Sequence, residues 1–228
     1  TLLVGGHYGP RQIVLTALIV LWALRLAGFL LYRILLWGED RRFDDKRDNL
    51  AKLTIFWAFQ AVWVWTVSLP LTILNASSRR PPLGPSDYIG WTVLLVGLVL
   101  ESVADMQKLW FKQSPQLRGR WIDVGVWHWS RHPNYFGEML VWIGSFIAAA
   151  RVLVGGEWAA VMSPIFIVLL LLFVSGLPIV EESADRKHGS NPDYRAYKQR
   201  TSILLPLPPP LYEKIPIAIK SSVLLDWP

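Results

Sequence analysis

The chain is written in long apolar blocks separated by short polar ones. Five blocks approach or exceed the ~20 residues a helix needs to cross the hydrocarbon core of a bilayer. They run about Ile13 to Trp37, Leu53 to Leu74, Tyr88 to Ala104, Tyr135 to Leu153 and Trp158 to Leu177. Between them lie a charged loop from Gly38 to Asn49, a turn-rich stretch from Asn75 to Ser86, a polar re-entry loop from Leu109 to Trp129 and a Gly155-Gly156 turn. Pro70 and Pro164 are expected to bend the second and fifth spans. After the fifth span, Asn191-Pro192-Asp193 reads as a cap with Pro at the first helical position, so a short amphipathic helix follows. The expected fold is all-α: an integral membrane helical bundle of about five transmembrane helices plus an amphipathic C-terminal helix. Residues 1–206 form the transmembrane domain, and 207–228 form a Pro-rich tail without a span-length apolar run.

Polar residues inside these blocks stand out. Arg33 is near the end of the first span and can snorkel. Arg25 is deeper, where a charge costs roughly 2.5–3.5 kcal/mol on insertion scales, so it should face other helices. Gln60 suits a hydrogen bond between helices. Glu101, Asp105 and Lys108 are spaced i, i+4, i+7 and share one helical face at the exit of the third span. Glu181, Glu182, Asp185 and Arg186 follow the fifth span, with Glu182 and Arg186 at i, i+4.

Composition narrows the classes. Of 228 residues 53% are hydrophobic, 13 are Trp and none is Cys, which removes disulfides, thiol catalysis and thiolate metal sites. The four His are dispersed and make no metal spacing. The net charge of +6 would suit nucleic acid in a soluble chain, but here its distribution points to a membrane and to no nucleic acid. Segments 38–52, 105–134 and 178–202 carry five Lys or Arg each, whereas the alternate faces carry Arg11 alone, then Arg79 and Arg80, then Arg151 alone. The positive-inside rule puts the three rich segments on one cytoplasmic-type side of an unspecified membrane.

That side contains Trp127 to Glu138, with Arg131-His132-Pro133-Asn134-Tyr135 at its centre. Pro133 suits the first turn of a helix, with Ser130 or His132 near the cap. Free N–H groups at a helix start beside Arg131 make an anion seat. Asn134 and Glu138 lie one turn apart just inside it and can grip a polar head group.

Arg131 to Tyr135 resembles the signature of membrane sterol reductases and of the DUF1295 integral membrane family, which is related to steroid 5α-reductases. The resemblance extends through Trp22 to Leu26, Gly38 to Phe43, Ser68-Leu69-Pro70, Ala104 to Lys108, Ser175 to Pro178 and Tyr194 to Tyr197, so it covers about Gln12 to Pro206. The shorter Arg-His-Pro-x-Tyr-x-Gly core is also similar to isoprenylcysteine carboxyl methyltransferases. Such families imply further apolar helix upstream of Thr1; no secretory signal is readable in Thr1 to Gly9.

The resemblance implies a reductase that uses NADPH on the C=C bond of a lipophilic, steroid- or isoprenoid-like substrate. It implies Arg131, His132 and Arg195 on phosphates, Asn134 and Glu138 on the carboxamide end, Asp105 on ribose or adenine, and Tyr135 as proton donor with Glu138 beside it. Glu101 stands where the steroid enzymes have Asn. Glu182 marks an acidic position shared by the reductases and methyltransferases, and Tyr194 and Tyr197 would fold over the cofactor. The motif by itself also admits S-adenosylmethionine and methyl transfer. A non-catalytic subunit of a larger membrane complex would keep the same fold. No Gly-x-Gly-x-x-Gly follows a strand signal, so a classical dinucleotide fold is not expected.

Overall fold

In the computed structural model, residues 9–38, 49–222, 224 and 226 are described; most of the charged loop from Gly38 to Asn49 lies outside them. The described chain is helical, and its β-type pairing is a single parallel bridge between Ser130 and Ser202. Helix α1 spans Pro10–Trp37, α2 Leu50–Val67, α3 Leu69–Ala76, α4 Pro85–Gln113 and α5 Pro133–Ala149. Then come α6 Met162–Leu169, α7 Leu177–His188, α8 Pro192–Arg200, α9 Pro209–Glu213 and α10 Ile217–Ser222. Among the described residues, five helical stretches are long and apolar enough to cross a membrane: Pro10–Trp37, Leu50–Val67, Pro85–Gln113, Pro133–Val152 and Gly155–His188. Leu24, Leu35, Ile55 and Trp65 are exposed on α1 and α2, as expected of side chains whose surroundings are lipid.

Local chemistry sets most boundaries. Pro10, Pro133 and Pro192 each open a helix, where the missing N–H would have no intrahelical partner. Asn49 and Asn191 accept from Lys52 N (3.0 Å) and Asp193 N (2.8 Å) as side-chain caps. Gly38 closes α1 at φ 81°, with its N–H on the Ile34 carbonyl.

The irregularity expected at Pro70 is present, and two other expectations shift. The second span breaks at Ser68, because Pro70 two residues on cannot supply the N–H that would bond Thr66. The fifth span deviates at Leu170–Val174 rather than at Pro164. Pro164 falls in the first turn of α6, where it is tolerated, whereas Ser175 N reaches back five residues to the Leu170 carbonyl (2.9 Å) in a π-type turn. A Cβ on Gly176 would lie 2.1 Å from the Leu171 carbonyl oxygen, so that turn closes only on glycine. The re-entry loop is shorter than expected. With no Pro or Gly between Gly97 and Pro115, α4 continues to Gln113.

The chain divides into two compact units, one from residues 1–95 and 142–167, the other from 96–141 and 168–228. In the first, Arg11 and Asp87 form a fully buried ion pair. The Arg11 guanidinium also donates to the carbonyls of Pro81 and Pro82 (3.2 Å each), and Asp87 accepts from Gly84 N (2.8 Å). Asn75 Nδ2 donates to Thr16 Oγ1 (3.0 Å), Ser163 Oγ donates to the Val67 carbonyl (2.7 Å), and Trp22 meets Trp142 edge-on at 5.0 Å. Arg79 bonds the Val152 carbonyl (2.7 Å) and pairs with Glu157. Arg25 is half-buried on α1. The sparse cations Arg11 and Arg79 thus have local carboxylate partners.

Candidate functional site

The motif and the other expected site residues belong to the second unit. Its frame begins where α4 and α5 touch. A Cβ on Gly97 would lie 2.5 Å from the Gly137 carbonyl oxygen, and one on Gly137 would lie 2.8 Å from Glu101 N. Contact this close brings the backbone at Glu101, itself 4% exposed, against the turn that carries Glu138.

The end of α4 then holds the approach to the motif. Gln107 Oε1 accepts from Val126 N (3.0 Å), the Ala104 carbonyl accepts from Trp127 Nε1 (3.0 Å), and the Lys108 ammonium sits 4.8 Å from the Trp127 ring centre. The other wall is the chain around α8. Tyr197 OH donates to the Trp127 carbonyl (2.9 Å), Arg131 N to the Ser202 carbonyl (2.8 Å), and Ser130 Oγ to the Leu204 carbonyl (2.8 Å). Ser130 Oγ also accepts from His132 N (3.1 Å), just before Pro133 opens α5.

Arg131 is 5% exposed, and its partners come from its own chain. Its guanidinium donates to the Lys198 carbonyl (3.0 Å) and to Asp226 (2.6 Å), and lies 3.1 Å from Glu181. Burial works against its charge, yet Glu181 and Asp226 outweigh that and hold its pKa above the ordinary value. The phosphate expected at Arg131 therefore meets a guanidinium already committed to carboxylates. His132, also expected at a phosphate, is likewise engaged within the chain. Its Nε2 lies 2.7 Å from Glu181 Oε1, and its ring stacks on Tyr135 at 5.4 Å. Burial lowers the His132 pKa, only partly offset by the Glu181 carboxylate, so the ring is neutral at pH 7 with its Nε2–H toward Glu181.

The neighbouring acids separate. Glu182 is 67% exposed and pairs with Arg186 at 3.2 Å on the surface. It was expected at the cofactor, but the phase of α7 turns it away and presents Glu181 instead. Asp185, one turn after Glu181, shares its face, and Lys198 reaches both at 2.9 Å and 3.6 Å.

Tyr194 and Tyr197 are each 3% exposed. Both hydroxyls are already bonded, Tyr194 to Asp185 (3.2 Å) and Tyr197 to the Trp127 carbonyl, and Trp121 packs on both rings. Burial raises both phenol pKa values, so they stay neutral. The two side chains expected to cover a cofactor thus make their hydrogen bonds and ring contacts within the chain. Arg195 is exposed on the same helix.

What remains as an inner polar group is on α4 and α5. Glu101 is buried, and Asp105, Asn134, Tyr135 and Glu138 are half-buried. Asn134 Oδ1 is fully enclosed and has no hydrogen-bond partner.

Two residues of the expected tail enter this unit. Tyr212 is fully buried, and its hydroxyl bonds Asp226, the residue that caps Arg131. Burial, helped by Asp226, raises the Tyr212 pKa. Nothing local in a Pro-rich tail signals this. A cleft of about 820 Å³ opens between α8 and this C-terminal segment, with Arg131 in its wall. Among the described residues, no group of three His, Asp or Glu could hold a metal.

Helices of this length and apolarity, with an Arg-His-Pro-Asn-Tyr turn whose Arg131 and His132 are buried at the head of one of them, define a multi-pass helical membrane protein. The chain belongs to the DUF1295 family, described as a protein of unknown function, whose model matches residues 1–201. It is also similar to an uncharacterised protein of Schizosaccharomyces pombe, 26% identical over 111 residues, which is 40% of this chain and 32% of that protein. The aligned stretch thus spans about a third of that relative's length. No solved structure matches.

Proposed function

We propose that the protein is a membrane-embedded reductase that uses NADPH to reduce the C=C bond of a lipophilic, steroid- or isoprenoid-like substrate. One observation carries this reading: the enclosed, unpaired Oδ1 of Asn134, next to Tyr135 and one turn before Glu138. A buried acceptor without a partner costs about 1–3 kcal/mol, which a bound donor would recover. A carboxamide NH2 is such a donor, and Glu138 adds a second acceptor on the same helical face. On this test the residues suit the nicotinamide end. Arg131 is less suited to phosphate while Glu181 and Asp226 hold it, which leaves Arg195 for that role.

NADPH, when bound, supplies the hydride. The protein must supply a proton, and the Tyr135 phenol is a group that can donate one. The relation to steroid 5α-reductases supports the reading as a resemblance in motif residues. Lipid-facing α1 and α2 suit a substrate that partitions into the bilayer.

The test is ligand binding by purified full chain in detergent. NADPH is expected to raise the thermal midpoint, and S-adenosylmethionine is not. Stabilisation by S-adenosylmethionine alone would replace the reductase with a methyltransferase.

One observation favours a second reading, a non-catalytic subunit of a larger membrane complex. The motif's arginine and histidine are both engaged in holding α5, α7 and the C-terminal segment together. Co-purification in fixed stoichiometry with a larger assembly, without NADPH binding, would establish that reading.

A further inference from the structure

The Ser175-Gly176-Leu177-Pro178 stretch takes no part in the motif site. It follows the π-type turn at Leu170–Val174 and leads into α7. In a continuous α-helix the carbonyls of Leu171, Leu172, Phe173 and Val174 would accept from the N–H groups four residues on. Here none of them does. Ser175 N reaches back to Leu170 instead. Gly176, at φ −99° and ψ −103°, turns the chain out of the helix line. Pro178 has no N–H to give Val174. Among the described residues, no other backbone N–H outside the helices reaches these four carbonyls.

Such a row of free acceptors is ordinary at a helix end in water and costly in hydrocarbon, where no solvent replaces the lost donors. This break lies in hydrocarbon. From Ile165 to Val180 the chain carries no charged residue. Glu181 meets His132 at the polar head of α5. Ser175 precedes Glu181 by six residues, or about 9 Å along a helix. The break is thus about that far inside an apolar layer ~30 Å thick. It is also open on one side: Phe173 is 58% exposed, Val174 is 60% exposed, and Ser175 between them and Gly176 is exposed too.

Free carbonyls at the end of a helix carry the negative end of its dipole, so the group they accept from must be a donor. A neutral donor costs far less to bring into hydrocarbon than an ammonium. The Ser175 hydroxyl can both donate and accept. A hydroxyl on an otherwise apolar body meets these demands, and Phe173, Val174 and the exposed Ile179 give that body an apolar surface.

We infer that this break binds the hydroxyl of a lipophilic alcohol, which donates to the free carbonyls beside Ser175 and accepts from the Ser175 hydroxyl. The shared chemistry is one hydroxyl, whether on a sterol ring system or on an isoprenoid chain. The inference is independent of the reductase reading, because a protein that binds the alcohol and reduces nothing still satisfies it.

The experiment holds purified full chain in nanodiscs of dioleoylphosphatidylcholine, a lipid with no hydrogen-bond donor. Cholesterol and farnesol are titrated in separately, each beside its own O-methyl ether, and thermal stabilisation is read. The ether keeps the apolar body and the oxygen but has no proton to donate. An alcohol is expected to stabilise at a concentration about tenfold lower than its ether, the effect of one hydrogen bond in an apolar place. Ser175→Ala is expected to raise that concentration about fivefold. Ser175 is exposed and lies between helices, so the variant keeps the fold. A response to cholesterol alone supports a sterol, one to farnesol alone supports an isoprenoid alcohol, and a response to both supports recognition of the hydroxyl on either body. Equal responses to alcohol and ether, no response to either alcohol, or a response that Ser175→Ala leaves unchanged each overturn the inference.

Discussion

The Nε2 of His132 lies 2.7 Å from Oε1 of Glu181, a contact between residues 49 apart that ties the head of α5 to the middle of α7. It makes the imidazole part of the fold's electrostatics. Burial depresses the His132 pKa below 6.5, so the unfolded chain takes up a proton there before the folded chain does. The stability this residue contributes is present above about pH 6.5 and is lost as pH falls through the folded pKa, by at most about 1.4 kcal/mol per pH unit. The thermal midpoint in detergent should fall between about pH 7 and pH 5, and His132→Gln should flatten that fall. An unchanged slope in the variant would refute the assignment.

Glu181 and Glu182 are adjacent in sequence and should behave very differently. Glu181→Ala strips a carboxylate partner from the buried Arg131 and His132, a change that costs about 3–5 kcal/mol in comparable buried pairs. Asp226 still neutralises Arg131, so about 3 kcal/mol is expected. Glu182→Ala removes an exposed i, i+4 pair and should cost under about 0.5 kcal/mol. Equilibrium unfolding of the two variants side by side checks the phase of α7.

The contact of α4 with α5 depends on hydrogen in place of a side chain. Gly97→Ala and Gly137→Ala each put a methyl within 2.8 Å of opposing backbone, and each should destabilise by about 1–3 kcal/mol. Gly28 has nothing within 4 Å of an added Cβ. Gly28→Ala should be neutral or should stabilise by up to about 1 kcal/mol through helix propensity. Similar losses at all three positions would contradict the packing.

If the reductase reading holds, Tyr135 and Asn134 should divide catalysis from binding. Tyr135→Phe is expected to lower turnover by about 10² or more while NADPH affinity is kept, the size of a general-acid contribution. Asn134→Ala should weaken NADPH about tenfold, equivalent to one buried hydrogen bond. Initial rates and cofactor titrations on the same preparations distinguish the two effects. An Asn134→Ala variant with unchanged cofactor affinity would remove the carboxamide contact.

Several features were legible because they are local. The run length of apolar residues sets the five spans, and Pro133, Pro192 and Asn191 act on their own turns whatever surrounds them. The two misplaced irregularities were local as well. Pro164 is harmless at a helix start, and the π-type turn that interrupts the fifth span carries no Pro at all. Gly97 and Gly137 were visible as residues, but their pairing requires knowing which helices meet.

The sequence by itself determined a multi-span helical chain, a helix opening at Pro133 and a concentration of charge around the motif, because helix starts and bilayer-length apolar runs are decided within a few turns of chain. Only the tertiary structure decided what the charges do. Choosing Glu181 over Glu182 depends on the rotational phase of α7, bonding the hydroxyls of Tyr194 and Tyr197 depends on what packs over α8, and seating Asp226 on Arg131 joins residues 95 apart. Such pairings lower the free energy only once burial has removed water from both partners, and burial is a property of the assembled unit.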